Sequence, residues 1–493
     1  MKVSRYVGFF VLILSLSGTQ AIEAFSFKRD RSEPSITTRE VAVNSVVQAP
    51  RDTDVEIEDK SSSYQLPDDL PNVLINQELI DAAQQRLSQS PEKYPLTHRA
   101  YQDIKARAKD FYDNVSISKV PVYTGTNRGE YRSRVYNGLA RSFELAIICV
   151  FEDQPDYCQK AIDIILAWAE QKGGTQLTRG SKSNLSASGL DISRYFARYA
   201  QAFHLVSPYM SEDEKETVTE WFLELGYEIK KSHEYWIENL EREGANNHLS
   251  WHNEGMLIAA LYGEDQNLLD YLMKGNRWNY KNLVRDAIYE QNNPDNIFRA
   301  NRDFAHLPIQ ARTGEIYDRH RSLPHPPAKG DIYNRQRWWN QDVKQRAGFA
   351  YSMFNLEALI LAAHIAQLND LYYTNRKRFI DVHNQSIRNA LRFYGEYYLD
   401  LPEGRSDCEK ISEIKLSSQP YGERCPIEYE PYFGERPPYH QIYLFTIARE
   451  YYRQDKPFYD RIISVNEKEV IPTNSFRHTN NPVSIFTFFF AET

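Results

Sequence analysis

Two short polar segments, about a hundred residues apart, carry the side chains best suited to acid–base chemistry. The first holds Asn246, Asn247 and His248, and the second is centred on Tyr351. Amide and imidazole groups can neutralise a carboxylate by hydrogen bonding. A phenol can exchange protons when nearby cations lower its pKa. This combination indicates removal of a proton from a carbon that bears a carboxylate.

Such chemistry cleaves a uronic acid polymer without water. An enzyme with such chemistry must remove the proton at C5, beside the carboxylate, while the leaving oxygen departs from C4. Preorganised donors must hold the carboxylate so that charge can flow into it, and a base and an acid must reach the two reacting atoms. These requirements call for no metal and no cofactor.

Length and composition predict a soluble globular chain. It has 493 residues, of which 41% are hydrophobic and 26% charged, so neither a disordered body nor a membrane-spanning one is expected. The formal net charge of -8 argues against general nucleic-acid binding. An anionic ligand must therefore meet a local basic patch. The 34 tyrosines suit ligand clefts as well as ordinary helix packing.

The N-terminus predicts secretion. Lys2 and Arg5 precede an apolar run over 7–16, which is too short to span a bilayer, and small residues end at Ala21. We expect a signal peptide over 1–21, cleaved after Ala21, and a secreted or periplasmic protein without a membrane anchor. Residues 22–75 are rich in charge and serine, which indicates a flexible or loosely docked leader.

Four cysteines suit an oxidising compartment. Cys149 and Cys158 are close in sequence, as are Cys408 and Cys425. Two local disulfides are the simplest of three possible pairings. A zinc site is the alternative, but the chain has no Cys-x-x-Cys spacing.

From about residue 76 the apolar spacing is helical. Helices are expected over 104–112, 139–150, 161–169, 192–206, 218–236, 249–262, 266–290, 346–368, 376–396 and 438–453, and a capping box at Ser211 and Glu214 begins one of them. Helices in this number form a bundle, a solenoid or a toroid, and the lack of a fixed repeat disfavours the solenoid. We predict an all-α fold, an incomplete barrel of helical hairpins or (α/α) toroid over 76–455. In the tail, 456–493, short strands are predicted at 462–465 and 484–490.

A basic segment interrupts the helical pattern between residues 299 and 346. It contains ten Lys or Arg residues against five acidic ones, with Arg337, Trp338 and Trp339 in series. Cations interleaved with aromatic rings suit an acidic polysaccharide. A solvated basic loop is the alternative.

The polar segments resemble the two signature regions of the alginate lyase family. The first is Asn246-Asn247-His248 followed by Trp251, and the second runs from Gln345 through Tyr351-Ser-Met-Phe-Asn-Leu-Glu-Ala-Leu359; Ser188-Gly-Leu-Asp-Ile-Ser-Arg194 is similar to a third part. The resemblance covers about residues 95–400. It implies an (α/α) toroid that cleaves acidic polysaccharide by β-elimination.

The resemblance also implies roles for individual residues. Asn247 and His248 would neutralise the uronate carboxylate, and Tyr351 would be the catalytic base, the acid or both. The family pattern places an arginine six residues before the tyrosine, where this chain has Gln345. Arg346 is the preferred replacement, with Lys344 second.

Further substrate contacts are expected from Asn246, Trp251, His252, Lys344, Gln345, Arg337, Trp338, Trp339 and Arg132. Several site residues have a structural alternative. Asn247 and His248 could cap a helix or belong to a polar core. His248 and His252 share a helix face, as two metal ligands would. Arg132, like Arg134 and Arg141, could simply be solvated.

Three functions remain open at this point. The first is a uronan lyase acting on alginate, with mannuronate-containing polymer preferred, or on glucuronan. The second is a glycoside hydrolase on an (α/α) barrel, which needs two carboxylates flanking the bond, drawn from Glu254, Asp331, Asp342 and Glu357. The third is a noncatalytic protein that binds acidic polysaccharide.

Overall fold

The computed structural model describes residues 64–67, 69–115, 122–239, 245–288, 348–373, 376–400, 443–469 and 483–490. All of them belong to one compact unit, Ser63–Thr493. Side chains at 348–352, 384, 393–394, 396–398, 400, 465–469 and 483–484 lie outside this description. The predicted signal peptide, the leader up to residue 63, Cys408 and Cys425 also lie outside it.

The first part of the unit is built from ten helices within the described residues. They are α1 Gln77–Leu87, α2 Pro95–Asn114, α3 Arg128–Asn137, α4 Ser142–Glu152, α5 Pro155–Glu170, α6 Lys182–Val206, α7 Glu212–Asn239, α8 Asn247–Tyr262, α9 Gln266–Asp270 and α10 Tyr280–Ala287. Short 3₁₀ turns at Leu139–Arg141 and Ser207–Tyr209 and a π turn at Tyr271–Gly275 join some of them.

The second part adds five helices and one small hairpin. They are α11 Gly348–Leu368, β1 Tyr372–Tyr373, β2 Lys377–Arg378, α12 Val382–Asp400, α13 Tyr443–Tyr451, α14 Lys456–Glu469 and α15 Val483–Phe490, with 3₁₀ turns at Phe379–Asp381 and Arg453–Asp455. The two strands pair antiparallel, Tyr372 with Arg378. The predicted all-α class is confirmed.

Local chemistry explains where several helices begin. The predicted capping box is present: the Ser211 hydroxyl accepts from the Glu214 N–H, and the Glu214 carboxylate accepts from the Ser211 N–H at 2.7 Å. Pro95 and Pro155 occupy the first positions of α2 and α5, where no backbone N–H is needed. These signals lie within one turn of the residues they organise, so the sequence alone reveals them.

The helices pack in a ring. Contacts run from α2 to α4, α6, α8, α11 and α13 in turn, and α15 packs on both α13 and α2. Helices α5 and α7 pack outside α4 and α6. This arrangement is that of an (α/α) toroid, in which α15 lies between α13 and α2 and connects the two ends of the ring.

The strand predictions in the tail are wrong. Residues 462–465 lie in α14, and 484–490 form α15. The Phe- and Ile-rich sequence has strand propensity, but burial in the ring overrides it. Arg86 donates to the carbonyls of Phe488 and Phe489 at the end of α15, which satisfies groups that a helix C-terminus leaves unpaired.

Two predicted helices are shorter than expected. The helix expected over 266–290 is broken between α9 and α10, because Asn276 and Asn279 bond to local backbone carbonyls and Asn279 caps α10. The helix expected from 376 begins at Val382, after β2.

Helix α8 is buried around almost its whole circumference, because α6, α7 and α11 surround it. Close approach requires glycine at two crossings. A Cβ on Gly189 of α6 would lie 2.5 Å from His252 Nε2, and one on Gly255 of α8 would overlap the hydroxyl of Ser193. A side chain at either position would force the helices apart.

Other contacts hold the periphery. The predicted Cys149–Cys158 disulfide is confirmed and joins α4 to α5, with Cα atoms 4.9 Å apart. Residues 73–75, at the end of the predicted leader, donate three backbone N–H groups to Gln201 Oε1 on α6. Among the described residues, no helix is long and apolar enough to cross a membrane.

Candidate active site

The predicted Asn-Asn-His segment forms the N-terminus of α8. Asn246 is the N-cap, and its Oδ1 accepts from the backbone N–H groups of His248 at 2.9 Å and Leu249 at 3.4 Å. The side-chain oxygen of Asn246 therefore caps the helix. The cap fixes the first turn, so Asn247 and His248 hold defined positions.

Asn247 and His248 occupy that first turn, where the N–H groups and the helix dipole favour negative charge. Both side chains are buried. The His248 ring packs against Trp236 of α7, with ring centroids 4.7 Å apart. An amide and an imidazole at a helix N-terminus are suited to holding a carboxylate.

Behind His248 lies a row of buried imidazoles. The His252 ring lies 6.3 Å from that of His248 and 5.6 Å from that of His233 on α7, centroid to centroid. Burial, followed by the neighbouring His233 and His248, holds the pKa of His252 well below its usual value. Burial also lowers the pKa of His233 to about 4. His252, predicted to contact substrate, is fully buried.

Helix α11 carries the second polar segment alongside α8. The Ser250 hydroxyl donates to Asn355 Oδ1 at 2.6 Å, and the Trp251 and Phe354 rings lie 4.9 Å apart. Tyr351 lies in the first turn of α11, one turn before Asn355. The hydrogen bond thus joins residues that each lie about one turn beyond a predicted catalytic residue.

An arginine cluster lies beside this pair of helices. Asp191, 3% exposed on α6, pairs with Arg128 Nε at 2.5 Å and Arg132 Nε at 3.6 Å. Arg194, one turn further along α6, places its guanidinium 5.2 Å from the Phe354 ring centroid. Burial raises the pKa of Asp191, although Arg128, Arg132 and Arg194 each act to lower it. Predicted residue Arg132 is therefore part of a larger basic group.

Sequence reasoning assigns no role to Arg128, Asp191 or Arg194, and the segment over 188–194 stands out only as a resemblance. An aspartate in the middle of an apolar helix, with an arginine three residues later, is the available signal, because a buried carboxylate needs a cationic partner. Trp236 has no comparable signal.

Two of the carboxylates considered for a hydrolase lie in the core. Glu254 is fully buried, and burial followed by the nearby Glu357 raises its pKa well above the usual value. Glu357 accepts a hydrogen bond from the Tyr443 hydroxyl at 2.6 Å. Neither flanks an open cleft as a glycosidase pair must. Asp331 and Asp342 lie outside the described residues.

Several predicted residues lie outside the described part of the chain: Arg337, Trp338, Trp339, Lys344, Gln345 and Arg346. Within the described part, no three His, Cys, Asp or Glu side chains come together as metal ligands would. A groove of about 820 Å³ lies elsewhere, between α7 and the loop after α5, and includes Lys172, Glu224 and Tyr227. It contains none of the predicted site residues.

Comparison with known protein families gives a match. Residues 83–294 match the sequence model of the alginate lyase family, and no curated protein matches the chain. The matched range contains Arg132, Asp191, Arg194, Asn247 and His248 and ends before Tyr351. The match supports a polysaccharide lyase that acts on alginate-like polymers. Residues 83–294 are therefore similar to an alginate lyase domain.

Proposed function

We propose that the protein cleaves a uronan, with mannuronate-containing alginate as the preferred substrate, by metal-independent β-elimination that leaves an unsaturated uronate end. The supporting observation is the Ser250–Asn355 hydrogen bond. It connects the helix of Asn247 and His248 to the helix of Tyr351 about one turn from each site segment, which suits one shared reaction centre.

In this mechanism Asn247 and His248 bind the carboxylate of the unit being cleaved. The N-terminus of α8 adds partial positive charge, so negative charge that develops after proton removal is stabilised in place. His252 and His233, held neutral by burial, add no competing positive charge beneath His248. His248 can then donate or accept a proton during the reaction.

Tyr351 would remove the C5 proton and return a proton to the C4 oxygen. In a mannuronate unit these two atoms lie on the same face of the sugar, so one phenol can serve both steps. Arg346, with Lys344 as the alternative, would favour the phenolate through its charge. Glucuronan is the alternative substrate.

We also propose that the protein is made with a signal peptide over 1–21 and acts outside the cytoplasm. The basic and apolar pattern of that segment and the Cys149–Cys158 disulfide support this proposal. The proposed organisation is a leader over 22–75, the lyase domain over 76–455 and a tail over 456–493. Within that tail, α14 and α15 pack on helices of the domain.

Ultraviolet absorbance with polymannuronate, polyguluronate and glucuronan tests the activity. A lyase creates an absorbing double bond, a hydrolase creates only reducing ends, and a binding protein creates neither. Absorbance with polymannuronate above the other polymers is expected. If no ultraviolet absorbance appears with any of the three polymers, whether or not new reducing ends form, the proposal is wrong.

The substitution Tyr351→Phe tests the assigned role. Acid–base groups contribute roughly a hundred- to ten-thousandfold to rate, so we expect kcat to fall by about that factor while substrate binding changes little. The matched control is Tyr227→Phe, which should retain full activity. Tyr227 is a half-exposed tyrosine on the outer helix α7, and its hydroxyl donates a hydrogen bond to Asp265. Near-normal turnover in Tyr351→Phe would exclude the mechanism.

A further inference from the structure

We propose that Arg194, supported by Arg132 and Arg128 around Asp191, forms a subsite for the carboxylate of a second uronate unit, next to the unit being cleaved. The inference rests on the proposed function, because it assigns part of the same substrate. It gives roles to Arg128 and Arg194, to which sequence reasoning assigns none.

The first argument is charge. Asp191 is nearly fully buried and has Arg128 as its close partner at 2.5 Å. The second contact, to Arg132, is longer at 3.6 Å, and the Arg132 side chain is 48% exposed. Arg194, one turn along α6, also acts on Asp191 electrostatically, so three guanidinium groups share one carboxylate. The group retains an excess of two positive charges, which a ligand carboxylate would complement.

The second argument is preorganisation. The guanidinium of Arg194 lies 5.2 Å from the Phe354 ring centroid and 5.3 Å from that of Tyr195. Arg194 is exposed, and no carboxylate of the described residues forms an ion pair with it. Contacts with two aromatic rings restrict where this guanidinium can lie, and its fork of donors matches a carboxylate. Less conformational freedom is then lost on binding.

The third argument is position. Phe354, which supports Arg194, lies three residues after Tyr351 and contacts Trp251. Trp251 in turn lies one turn after Asn247 on α8. The arginine therefore lies against Phe354 of α11, and Phe354 in turn contacts Trp251 of α8. A uronan carries a carboxylate on every unit, so a chain held at that centre presents its next carboxylate to a neighbouring cation.

The test compares Arg194→Ala with Arg194→Lys and a matched control. Arg392→Ala is suitable because Arg392 also stacks on a phenylalanine, Phe458, and lies 3.8 Å from Asp455, but belongs to α12. Calorimetry would measure binding of mannuronate oligomers to each variant in the Tyr351→Phe background, and absorbance would measure kcat/KM with Tyr351 intact.

We expect Arg194→Ala to weaken binding and lower kcat/KM by about ten- to a hundredfold, as for loss of a hydrogen-bonded charge. The binding affinity and kcat/KM of Arg194→Lys should lie between those of the parent and Arg194→Ala, since lysine keeps the charge but lacks the forked donors of arginine. Arg392→Ala should stay within about twofold on the same scale. An oligomer whose carboxylates have been reduced to alcohols should bind the Tyr351→Phe parent and its Arg194→Ala and Arg392→Ala derivatives equally.

An effect of Arg194→Ala within twofold, or an equal loss in Arg392→Ala, would overturn the subsite. An equal loss on the carboxyl-reduced oligomer would also overturn it, because the arginine would then not read the carboxylate. These outcomes are distinct from failure of the proposed function. That failure would appear as an absence of ultraviolet absorbance from the unmodified protein on every uronan.

Discussion

The hydrogen bond between Ser250 and Asn355 should control how the two site helices are aligned. Both residues are fully buried, and the bond joins α8 to α11. Ser250→Ala removes the donor and leaves Asn355 Oδ1 without it in a dry interior. We expect lower stability and slower turnover, although Ser250 itself touches no reacting atom in the proposed mechanism.

The structure sets the size of the effect. A buried acceptor left unsatisfied costs about 1–3 kcal/mol, so the free energy of unfolding should fall by that amount. Asn355→Leu should cost less, because the Ser250 hydroxyl can turn to the Asn246 carbonyl, which is already 3.3 Å away. The double variant should therefore lose less than the sum of the two, with a coupling of about 1–2 kcal/mol.

Urea unfolding of the unmodified protein, the two single variants and the double variant gives the coupling energy. Ultraviolet absorbance with polymannuronate as substrate gives kcat and KM. Misalignment of His248 and Tyr351 by about 1 Å can cost up to a hundredfold in rate, so kcat should fall by at least tenfold while KM changes little. Ser207→Ala is the control, because the hydroxyl of that buried serine bonds only to the local carbonyl of His204 among the described contacts.

If the losses in unfolding free energy of Ser250→Ala and Asn355→Leu simply add in the double variant, with a coupling below about 0.5 kcal/mol, the two side chains are not coupled and the prediction is wrong. It would also be refuted if Ser250→Ala lost stability but kept its kcat. That result would make the bond an ordinary core contact with no part in placing the site.

Two predictions concern stability. Burial lowers the pKa of His233 and His364 to about 4, whereas the histidine pKa in the unfolded chain is about 6.5. As pH falls from about 6.5 towards 4, the unfolded state therefore binds more protons than the folded state. The free energy of unfolding should drop over this range by up to about 1.4 kcal/mol per pH unit for each histidine. Urea unfolding at several pH values measures this, and a flat profile over that window would contradict it. Replacing Cys149 and Cys158 together by alanine should lower the unfolding free energy by about 2–3 kcal/mol, and an unchanged denaturation midpoint would show that this disulfide does not stabilise the fold.

The sequence alone predicted those features of the fold that depend on interactions between residues close together in the chain. Apolar spacing indicated the helical class, the capping box at Ser211 marked the start of α7, and the short separation of Cys149 and Cys158 indicated their pairing. The polar segment at Asn247 was also visible, because its residues are adjacent in the chain. All these signals act within a few turns, so no knowledge of distant partners was needed.

Tertiary structure decided which distant residues meet and which faces are buried. The strand-like sequence over 484–490 is a helix because the ring between α13 and α2 buries it. His252 lies in the core rather than in contact with solvent because Gly189 lets α6 approach α8. Arg194 lies against Phe354, 160 residues away in sequence. The free energy of such contacts depends on packing and desolvation across the whole ring, and local sequence carries no record of it.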